Sequence, residues 1–586
     1  MHRLRFLLAA LLAGLAPALV SGAGAAPEYA VVFESNVQMK ARDGTVLTAD
    51  IYRPKADGKF PVLLERTPYD KYTNLDSGLK GAARGYVVII QDCRGRHLSG
   101  GDWYPFKYEI TDGYDAVEWA AALPYSNGQV AMLGGSYVGA TEMLAAIAAP
   151  PHLVAINPMI TGSDYYQHWA YQGGAFMQML AQAWSSALAM DVLERRSGGS
   201  AVPSHWDYLQ PPSRYPLIDP GPVQGLATYY FDWLAHPTYD DYWKQWSIER
   251  QVGKITVPAM HVAAWYDLFQ DGSIRNYLGM RDHAATPAAR AGQRLIIIPG
   301  GHAGFDAKIG ELDFGKDAKF DIWGYGMKWY DHLLKGVDNG IDRDKPVKIF
   351  VMGRNVWRDE DEWPLARAKA TRFYLHSAGR ANSSGGDGVL STAAPGALPP
   401  DRYLSDPLRP VPTHGGPILG DFGNYPAGPL DQQGVELRDD VLVYTTPPFE
   451  QDYEVTGPVK LELYVSSSAV DSDFTGKLVD VWPDGRAYNL CDGILRARFR
   501  ESYEQPSLLQ PGKVYKLTID LWSTSNVFLK GHRLRLEVAS SNFPRFARNP
   551  QTGGNEVGTG AAPVTAANVV YHDADHPSAL ILPVVP

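Results

Sequence analysis

Apolar and polar positions alternate along the first quarter of the chain in blocks that predict strands and helices in turn. Strands are predicted over Val46–Tyr52, Pro61–Arg66, Tyr86–Asp92 and Gln129–Leu133, and helices over Gly113–Ala122 and Ala140–Ala149. Because strands that alternate with helices usually form a parallel sheet covered on both faces, this pattern predicts an α/β domain.

After Asp164 the pattern changes to a stretch rich in Met, Trp, Tyr and Ala, which runs to Ile248 without a clear strand. We interpret this stretch as a helical insertion. Its large apolar side chains are interpreted first of all as helix-packing residues: Trp169, Phe176, Met177, Met179 and Trp184. Strand patterns return at Ala259–Trp265 and Arg294–Pro299, so the sheet is predicted to be completed after the insertion.

Beyond Trp363 the helical pattern is lost, and short alternating segments follow one another between clusters of Gly, Pro, Ser and Asp. The predicted strands there include Thr371–Leu375, Val459–Val465, Val514–Leu521 and Arg533–Val538. This spacing predicts a separate all-β sandwich. The predicted domains are a core over 26–164 and 250–364, a helical cap over 165–249 and a sandwich over 365–586.

The first residues have the pattern of a targeting segment. Arg3 and Arg5 precede an apolar run over Phe6–Val20, and an Ala-x-Ala end follows at Ala23–Ala25. A membrane span needs about 20 apolar residues, so the shorter run predicts a signal peptide over 1–25, with an uncleaved anchor as the alternative. We therefore expect an exported protein, periplasmic or secreted, without membrane association after cleavage.

Composition narrows the class of protein further. Among the 586 residues 45% are hydrophobic, and the net charge of −10 argues against nucleic acid as a partner. The two cysteines, Cys93 and Cys491, are too few for a disulfide framework. Asp471 and Asp473 lack the rest of a calcium-loop pattern, so we expect neither a metal nor another cofactor. The oligomeric state stays open.

The segment Gly134-Gly-Ser136-Tyr-Val-Gly139 has a serine where a predicted strand turns into a predicted helix. A nucleophilic serine on such a turn stands clear of the sheet and needs glycine neighbours. The usual elbow is Gly-x-Ser-x-Gly, and here the second glycine comes one position late. Taken alone, the segment is either a nucleophile elbow or a structural turn.

Two later strands end in the groups that an activated serine requires. Asp267 follows one strand and His302 follows another, which predicts both at the carboxyl edge of the sheet. The order Ser136, Asp267, His302 is that of an α/β-hydrolase triad, in which the histidine takes the serine proton and the aspartate orients the histidine. A turn-capping Asp267 and a surface His302 are the structural alternatives, and their joint placement favours the triad. His261 lies inside a strand and is interpreted as a core residue or as a residue that supports a site residue from behind.

A tetrahedral intermediate also needs hydrogen-bond donors for its oxyanion. The backbone N–H of Tyr137, which follows the serine, supplies one donor. Tyr69 lies in the loop after the predicted strand Pro61–Arg66. It could supply a second donor through its phenolic O–H, or it could be an aromatic residue of the turn.

At these residues the chain resembles the X-Pro dipeptidyl-peptidase family of serine hydrolases. Within the family it resembles the branch of cocaine esterase-like enzymes, α-amino acid ester hydrolases and glutaryl cephalosporin acylases. The likeness rests on six ordered motifs: Arg66-Thr-Pro-Tyr-Asp-Lys71, Gln91-Asp-Cys-Arg-Gly-Arg96, Gly134-Gly-Ser-Tyr-Val-Gly139, Trp265-Tyr-Asp267, Val351-Met-Gly353 with Trp357-Arg358, and Gly531-His-Arg-Leu-Arg535. The late Gly139 is itself typical of the family.

The resemblance implies an α/β-hydrolase core, a helical cap inserted after the sixth strand and a C-terminal jelly-roll sandwich. It also implies the triad Ser136, Asp267 and His302, with an oxyanion hole made by the Tyr69 hydroxyl and the Tyr137 amide.

The substrate is less constrained by the resemblance. The α-amino acid ester hydrolases of the family hold a substrate ammonium with carboxylates, partly in the segment where the cap begins. Here that segment has no acid between Asp164 and Phe176. The aromatic content instead suits an aryl or acyl group under the cap, with Trp169, Phe176 and Trp265 as candidate pocket residues.

We therefore expect an exported serine hydrolase that cleaves small-molecule carboxylic esters, or amides, through an acyl-serine intermediate. An X-Pro dipeptidyl-peptidase and an α-amino acid ester hydrolase or acylase are the alternatives within this class. An inactive carbohydrate- or peptide-binding protein is a remote alternative from another class.

Overall fold

A computed structural model describes residues 29–198, 225–420, 425–554 and 562–586. The predicted signal peptide over 1–25 lies outside the described residues, as does part of the predicted cap, 199–224. Within the described ranges, no helix combines the length and the apolar character needed to cross a bilayer.

A large mixed sheet organises the first half of the chain. The described strands of this half are, in chain order, β1 (Val31–Lys40), β2 (Val46–Pro54), β3 (Phe60–Thr67), β4 (Val87–Asp92), β5 (Ser126–Gly135), β6 (Leu153–Met159), β7 (Tyr171–Gln172), β8 (Ala175–Phe176), β9 (Met260–Tyr266), β10 (Arg294–Gly301), β11 (Lys308–Ile309), β12 (Leu312–Asp313), β13 (Val347–Val351) and β14 (Val356–Glu360). The predicted strands of this region are confirmed as β2 to β5, β9 and β10.

The strand order of the sheet contains a switch point, where successive connections leave in opposite directions. Its order is β1-β2-β4-β3-β5-β6-β9-β10-β13-β14, and the run from β4 to β13 is parallel. The pairs β1–β2, β2–β4 and β13–β14 are antiparallel. Because β4 lies on one side of β3 and β5 on the other, the connections leave in opposite directions, and ligands bind at such switch points outside the carboxyl ends of the strands.

Helices cover both faces of the sheet. The described α-helices of the chain are α1 (Leu75–Ala83), α2 (Glu109–Ala121), α3 (Tyr137–Ile147), α4 (Gln178–Arg196), α5 (Thr228–Ala235), α6 (Asp241–Lys244), α7 (Gln270–His283), α8 (Pro287–Ala291), α9 (Ile322–Lys335) and α10 (Gln433–Glu436). Helices α2 and α3 pack on the face to which Leu64 and Met132 contribute, and α1 and α9 pack on the face of Leu63 and Ala131. Since successive residues of a strand point to opposite faces, strands covered on both sides are apolar throughout.

The segment between β6 and β9 forms the cap. Its described part contains a π-helical turn over Tyr166–Ala170, the hairpin β7–β8, and helices α4 to α6. The prediction of an insertion without strands is therefore wrong at the hairpin, where Gly173 and Gly174 reverse the chain at φ of 55° and 78°. A side chain at these glycines would collide with the Ile494 carbonyl and the Phe499 ring of the C-terminal domain.

The second half of the chain is a separate β-rich domain. Its described strands are β15 (Lys369–His376), β16 (Val389–Ser391), β17 (Asp401–Ser405), β18 (Leu442–Thr445), β19 (Tyr453–Ser467), β20 (Asp473–Val481), β21 (Ala487–Arg496), β22 (Tyr515–Phe528), β23 (Arg533–Ala539), β24 (Ala566–Tyr571) and β25 (Ala579–Val585). The four-residue helix α10 is the exception to the predicted loss of α-helix in the described residues. One buried apolar cluster joins Leu461 and Leu521 of this domain to Trp265 and Phe350 of the α/β core. The jelly-roll connectivity stays a prediction.

Candidate active site

Ser136 lies on a sharp turn between β5 and α3. Its backbone has φ 62° and ψ −127°, which is an uncommon conformation for a residue with a side chain. Gly134 has φ 154°, and a Cβ there would lie 2.1 Å from the Val138 side chain. A Cβ at Gly139 would lie 3.1 Å from the carbonyl oxygens of both Gly134 and Met159. Val138 thus fills the space beside Gly134, and the late glycine lets α3 pack closely against the strands.

Asp267 and His302 complete a linear hydrogen-bond chain with this serine. His302 follows β10 and approaches Ser136 Oγ through Nε2 at 2.9 Å. Its Nδ1 lies 2.6 Å from Oδ2 of Asp267, which follows β9. The other Asp267 oxygen accepts the backbone N–H of Phe269 at 2.6 Å. All three side chains are buried. The geometry permits proton transfer from the serine to a histidine that a carboxylate orients.

Tyr69 faces the same serine from the loop after β3. Its hydroxyl oxygen accepts the Trp184 indole N–H at 3.1 Å, so its own proton is free to be donated elsewhere. It also interacts with the Ser136 side chain and the Tyr137 backbone amide. Burial raises the pKa of this phenol, which keeps it a donor at neutral pH. The structure therefore brings together both predicted oxyanion donors, and it adds Trp184, which the sequence indicated only as a helix-packing residue.

A buried polar network lies behind the elbow. The Tyr137 hydroxyl accepts the Phe106 backbone N–H at 2.7 Å and donates to Glu109 at 3.1 Å. Glu109 also pairs with the fully buried Arg66 at 2.5 Å. These contacts fix the residue whose backbone amide interacts with the Tyr69 hydroxyl. The sequence did not indicate Glu109 or Phe106 as part of the site, because both precede the elbow by more than 25 positions.

Known protein families match both halves of the chain. Residues 43–304 match the family described as X-Pro dipeptidyl-peptidase (S15 family), and residues 339–581 match the X-Pro dipeptidyl-peptidase C-terminal non-catalytic domain. The chain belongs to the S15 family of serine hydrolases. The family resemblance inferred from the motifs is thereby confirmed, and the protein is a hydrolase.

Several S15 relatives are similar along nearly their full length. The chain is 38% identical over 573 residues to cocaine esterase of Rhodococcus sp. (strain MB1 Bresler). This alignment covers 94% of this chain and 98% of that enzyme. An aminopeptidase from the marine sediment archaeon Thaumarchaeota archaeon has a TM-score of 0.79 at 26% identity, covering 95% of this chain and 97% of that one. An α-amino acid ester hydrolase has the same TM-score at 25% identity, covering 97% and 99%. These matches confirm the predicted fold class.

An aromatic cluster borders the histidine of this S15 site. The Trp169 ring stacks on Phe269 with centroids 4.5 Å apart, and Phe269 lies 5.2 Å from the His302 ring. Trp169 also contacts Trp184 at 5.5 Å and Tyr137 at 6.0 Å. The structure thus brings Trp169 to the site. It also adds Phe269, which was not predicted although it follows Asp267 by two positions.

The other two candidate pocket residues lie elsewhere. Phe176 packs inside the cap against Tyr171 and Tyr230, with ring centroids 5.2 and 5.9 Å apart. Trp265 donates its indole N–H to the Phe350 carbonyl at 2.7 Å and packs against Trp363 under the C-terminal domain. The prediction of Trp265 as a pocket residue is wrong because side chains alternate along β9. Trp265 points to the same side of the strand as the core residue Ala263.

The acidic residue where the cap begins hydrogen-bonds to the cap itself. Asp164 accepts the backbone N–H groups of Tyr166 and Gln167 with one oxygen and the Tyr239 hydroxyl at 2.7 Å with the other. These three hydrogen bonds, all from groups of the cap, orient the carboxylate. His261 is buried against Gln293 at 2.9 Å, and burial lowers its pKa to about 4, as a core histidine requires. In the described residues, no three His, Cys, Asp or Glu side chains form a group that could hold a metal.

Proposed function

We propose that this S15 hydrolase cleaves carboxylic esters through an acyl-Ser136 intermediate. The observation that carries the proposal is the linear chain Asp267–His302–Ser136, with hydrogen bonds of 2.6 and 2.9 Å, beside the Tyr69 hydroxyl. Each of these groups has a defined role in acyl transfer.

In the first step His302 Nε2 takes the Ser136 proton as Oγ attacks the ester carbonyl. The carbonyl oxygen becomes an oxyanion, which accepts hydrogen bonds from the Tyr69 hydroxyl and the Tyr137 amide. Asp267 stabilises the imidazolium that forms. When the intermediate collapses, the ester C–O bond breaks and His302 protonates the departing alkoxide. A water molecule then repeats the sequence on the acyl enzyme and releases the acid.

We further propose that the acyl group is aromatic. Three observations support this: Trp169 stacks on Phe269, Phe269 lies 5.2 Å from His302, and a relative with 38% identity is named cocaine esterase. Flat rings adjacent to the catalytic histidine favour binding of an aryl ring in offset or edge-to-face contact. Such an aromatic pair contributes about 0.5–1.5 kcal/mol of binding free energy beyond the burial of apolar area. Amides of the same acids are the second substrate class.

The test compares three substrates on the purified protein: p-nitrophenyl benzoate, p-nitrophenyl acetate and Gly-Pro-p-nitroanilide. We expect kcat/KM to be highest for the benzoate and the anilide to be hydrolysed slowly or not at all. A Ser136→Ala variant serves as the control, because it removes the nucleophile. Unchanged ester hydrolysis by that variant would overturn the acyl-Ser136 proposal.

The rival activity within the family requires a substrate with a free α-amino group. It is favoured by the TM-scores of 0.79 to an aminopeptidase and an α-amino acid ester hydrolase. Against it, Asp164 is buried and is the only acid in the segment from 164 to 176, so an ammonium would find no exposed carboxylate in that segment. A kcat/KM that rises when an α-amino group is added to the same ester would favour the rival.

We also propose that residues 1–25 direct export and are then removed. Two arginines, a short apolar run and an Ala-x-Ala end support this proposal. Mass spectrometry of the protein from the periplasm or the medium tests it. A mature chain that begins at residue 26 is expected, and an uncleaved chain in the membrane fraction would contradict it.

A further inference from the structure

Arg96 lies in the loop after β4, within the motif Gln91-Asp-Cys-Arg-Gly-Arg96 that the assigned chemistry does not use. The loop turns at Gly95, which has φ 71° and packs so closely on the Trp103 backbone that a Cβ would lie 2.1 Å from its nitrogen. Arg96 is 1% exposed. A buried guanidinium is costly unless its donors are used, so its partners indicate its role.

The guanidinium joins two separate parts of the molecule. Its Nε donates to the Pro68 carbonyl at 2.8 Å, directly before Tyr69 in the chain. Its Nη1 donates to the Leu188 carbonyl on α4 at 2.9 Å and lies 3.3 Å from Asp191 Oδ2 on the same helix. The loop that carries Tyr69 and the cap helix are thus linked by one rigid planar group.

The same two elements meet again at the Tyr69 hydroxyl. Trp184 precedes Leu188 by one turn of α4, and its indole N–H donates to Tyr69 Oη at 3.1 Å. The arginine therefore holds the backbone before Tyr69, and the tryptophan holds the end of its side chain. The Arg96 guanidinium also lies 5.2 Å from the Trp103 ring, which packs at 5.2 Å on Tyr137, the source of the other oxyanion donor.

We propose that Arg96 is a positioning residue of the oxyanion hole, which couples the seating of cap helix α4 to the position of the Tyr69 hydroxyl. The proposal rests on the function proposed above, because it assigns Arg96 no contact with the substrate. Its physical basis is that a displacement of α4 relative to the core removes two restraints on Tyr69 together. An oxyanion donor must lie within a few tenths of an ångström of its productive position, so this link affects turnover more than substrate binding.

A double-mutant cycle with Arg96→Gln and Tyr69→Phe tests the proposal on an aryl ester. In the wild-type background we expect Arg96→Gln to lower kcat about 10-fold with little change in KM. In the Tyr69→Phe background the same substitution is expected to lower kcat less than about 2-fold, because the hydroxyl that it positions is gone. Equal losses in both backgrounds would overturn the proposal and leave Arg96 a purely structural residue.

Arg195→Gln is the matched control. Arg195 lies on the same helix and donates across the same boundary to the Ser99 carbonyl at 2.9 Å, but it does not contact the Tyr69 loop. We expect it to keep the wild-type kcat, and a loss equal to that of Arg96→Gln would contradict a specific role for Arg96.

If Arg96→Gln does not fold, Arg96→Lys replaces it in the cycle. Lysine keeps the charge but cannot hold the Pro68 and Leu188 carbonyls in the arginine geometry, so the same non-additive loss is expected. Failure of the proposed acyl-Ser136 mechanism can be distinguished from failure of the Arg96 proposal, because only the former would leave the Ser136→Ala variant active. A Tyr69→Phe variant with wild-type kcat would overturn the Arg96 proposal along with the assigned donor.

Discussion

Two regions of the protein contain an aspartate, a histidine and a serine joined in the same order by hydrogen bonds. At the edge of the sheet, Asp267, His302 and Ser136 are linked at 2.6 and 2.9 Å. At the base of the cap, Asp271 lies 3.0 Å from His168 Nε2, and His168 Nδ1 lies 3.0 Å from Oγ of Ser163. The residue types and the order of contacts are the same, so these features alone do not distinguish a catalytic group from a structural one.

The difference lies in what surrounds each serine. The Ser163 hydroxyl donates to Glu249 at 2.7 Å, so its proton is directed at a carboxylate and not at the histidine. Its carbonyl accepts the backbone N–H groups of Ile248 and Glu249, which ties the two ends of the cap together. Ser136 instead contacts the Tyr69 phenol, which also interacts with the Tyr137 backbone amide. The comparison teaches that oxyanion donors and the direction of the serine proton identify the catalytic group.

The aspartates differ in the same way. Burial opposes ionisation of Asp271, but the Arg275 guanidinium and His168 outweigh it and hold the pKa of this carboxyl below its ordinary value. Arg275 contacts Asp271 at 2.5 Å. Asp271 therefore forms an ion pair within α7, and its hydrogen bond to His168 links that helix to the cap. Asp267 contacts the histidine and the backbone N–H of Phe269, as expected for a residue that orients an imidazole.

Substitution of the two serines separates the regions most strongly. Ser136→Ala is expected to lower kcat/KM for an aryl ester by at least about 10⁴-fold, because no nucleophile remains. Ser163→Ala is expected to keep kcat/KM near wild type and to lower the melting temperature. Steady-state kinetics and thermal unfolding of both variants check this. A Ser163→Ala variant as inactive as Ser136→Ala would break the distinction.

The two aspartates come next in the size of the expected effect. Asp267→Asn is expected to lower kcat by about 10⁴-fold, since an amide favours the wrong tautomer of His302. Asp271→Asn removes the charge that pairs with Arg275, so we expect a lower melting temperature with kcat close to wild type. Measurements of kcat and of the melting temperature for both variants test this expectation. Equal kcat losses would assign the cap chain a catalytic role.

Removal of the oxyanion donor Tyr69 is expected to lower kcat less than the preceding substitutions at Ser136 and Asp267. This donor has no counterpart among the contacts of Ser163. Tyr69→Phe is expected to lower kcat by roughly two orders of magnitude, because one donor to the developing charge is removed. KM is expected to change little. Single-turnover rates of acylation provide the measurement, and a variant with wild-type acylation would show that Tyr69 does not stabilise the intermediate.

The smallest expected effect concerns alkaline pH. Burial raises the pKa of the Tyr69 phenol above its ordinary value, so the donor keeps its proton as the pH rises through about 10. We expect kcat/KM to stay flat between about pH 8 and pH 10 in both the wild type and Tyr69→Phe. A wild-type decline centred near 10 that Tyr69→Phe lacks would contradict this environment for Tyr69.

The hydrogen-bond chain proposed to be catalytic could be predicted from the sequence because each of its groups follows an apolar strand. Chain order and strand ends are local signals, and they placed Ser136, Asp267 and His302 at one edge of the sheet. Helix α7 was not predicted because many of its residues are polar yet buried, and Asn276 and Ser273 hydrogen-bond to backbone groups in the interior.

The surroundings of the site were harder to predict. Trp184 reaches the Tyr69 loop only because the cap folds back over the core, and Arg96 contacts α4 across the same boundary. No local pattern encodes such contacts. The prediction of Trp265 as a pocket residue is wrong, although this tryptophan precedes Asp267 by only two positions. Its position on β9 turns it toward the C-terminal domain. Long-range packing thus decides which of the predicted aromatic residues lie near His302.

The most direct test of the account is labelling of the purified protein with a fluorophosphonate, followed by mass-spectrometric mapping of the modified peptide. Such a reagent reacts with a serine whose proton a histidine can take and whose adduct is stabilised by oxyanion donors. We predict one adduct on Ser136, absent in Ser136→Ala and unaffected by Ser163→Ala. An adduct on Ser163, or no adduct on an active protein, would contradict the assignment of the catalytic serine.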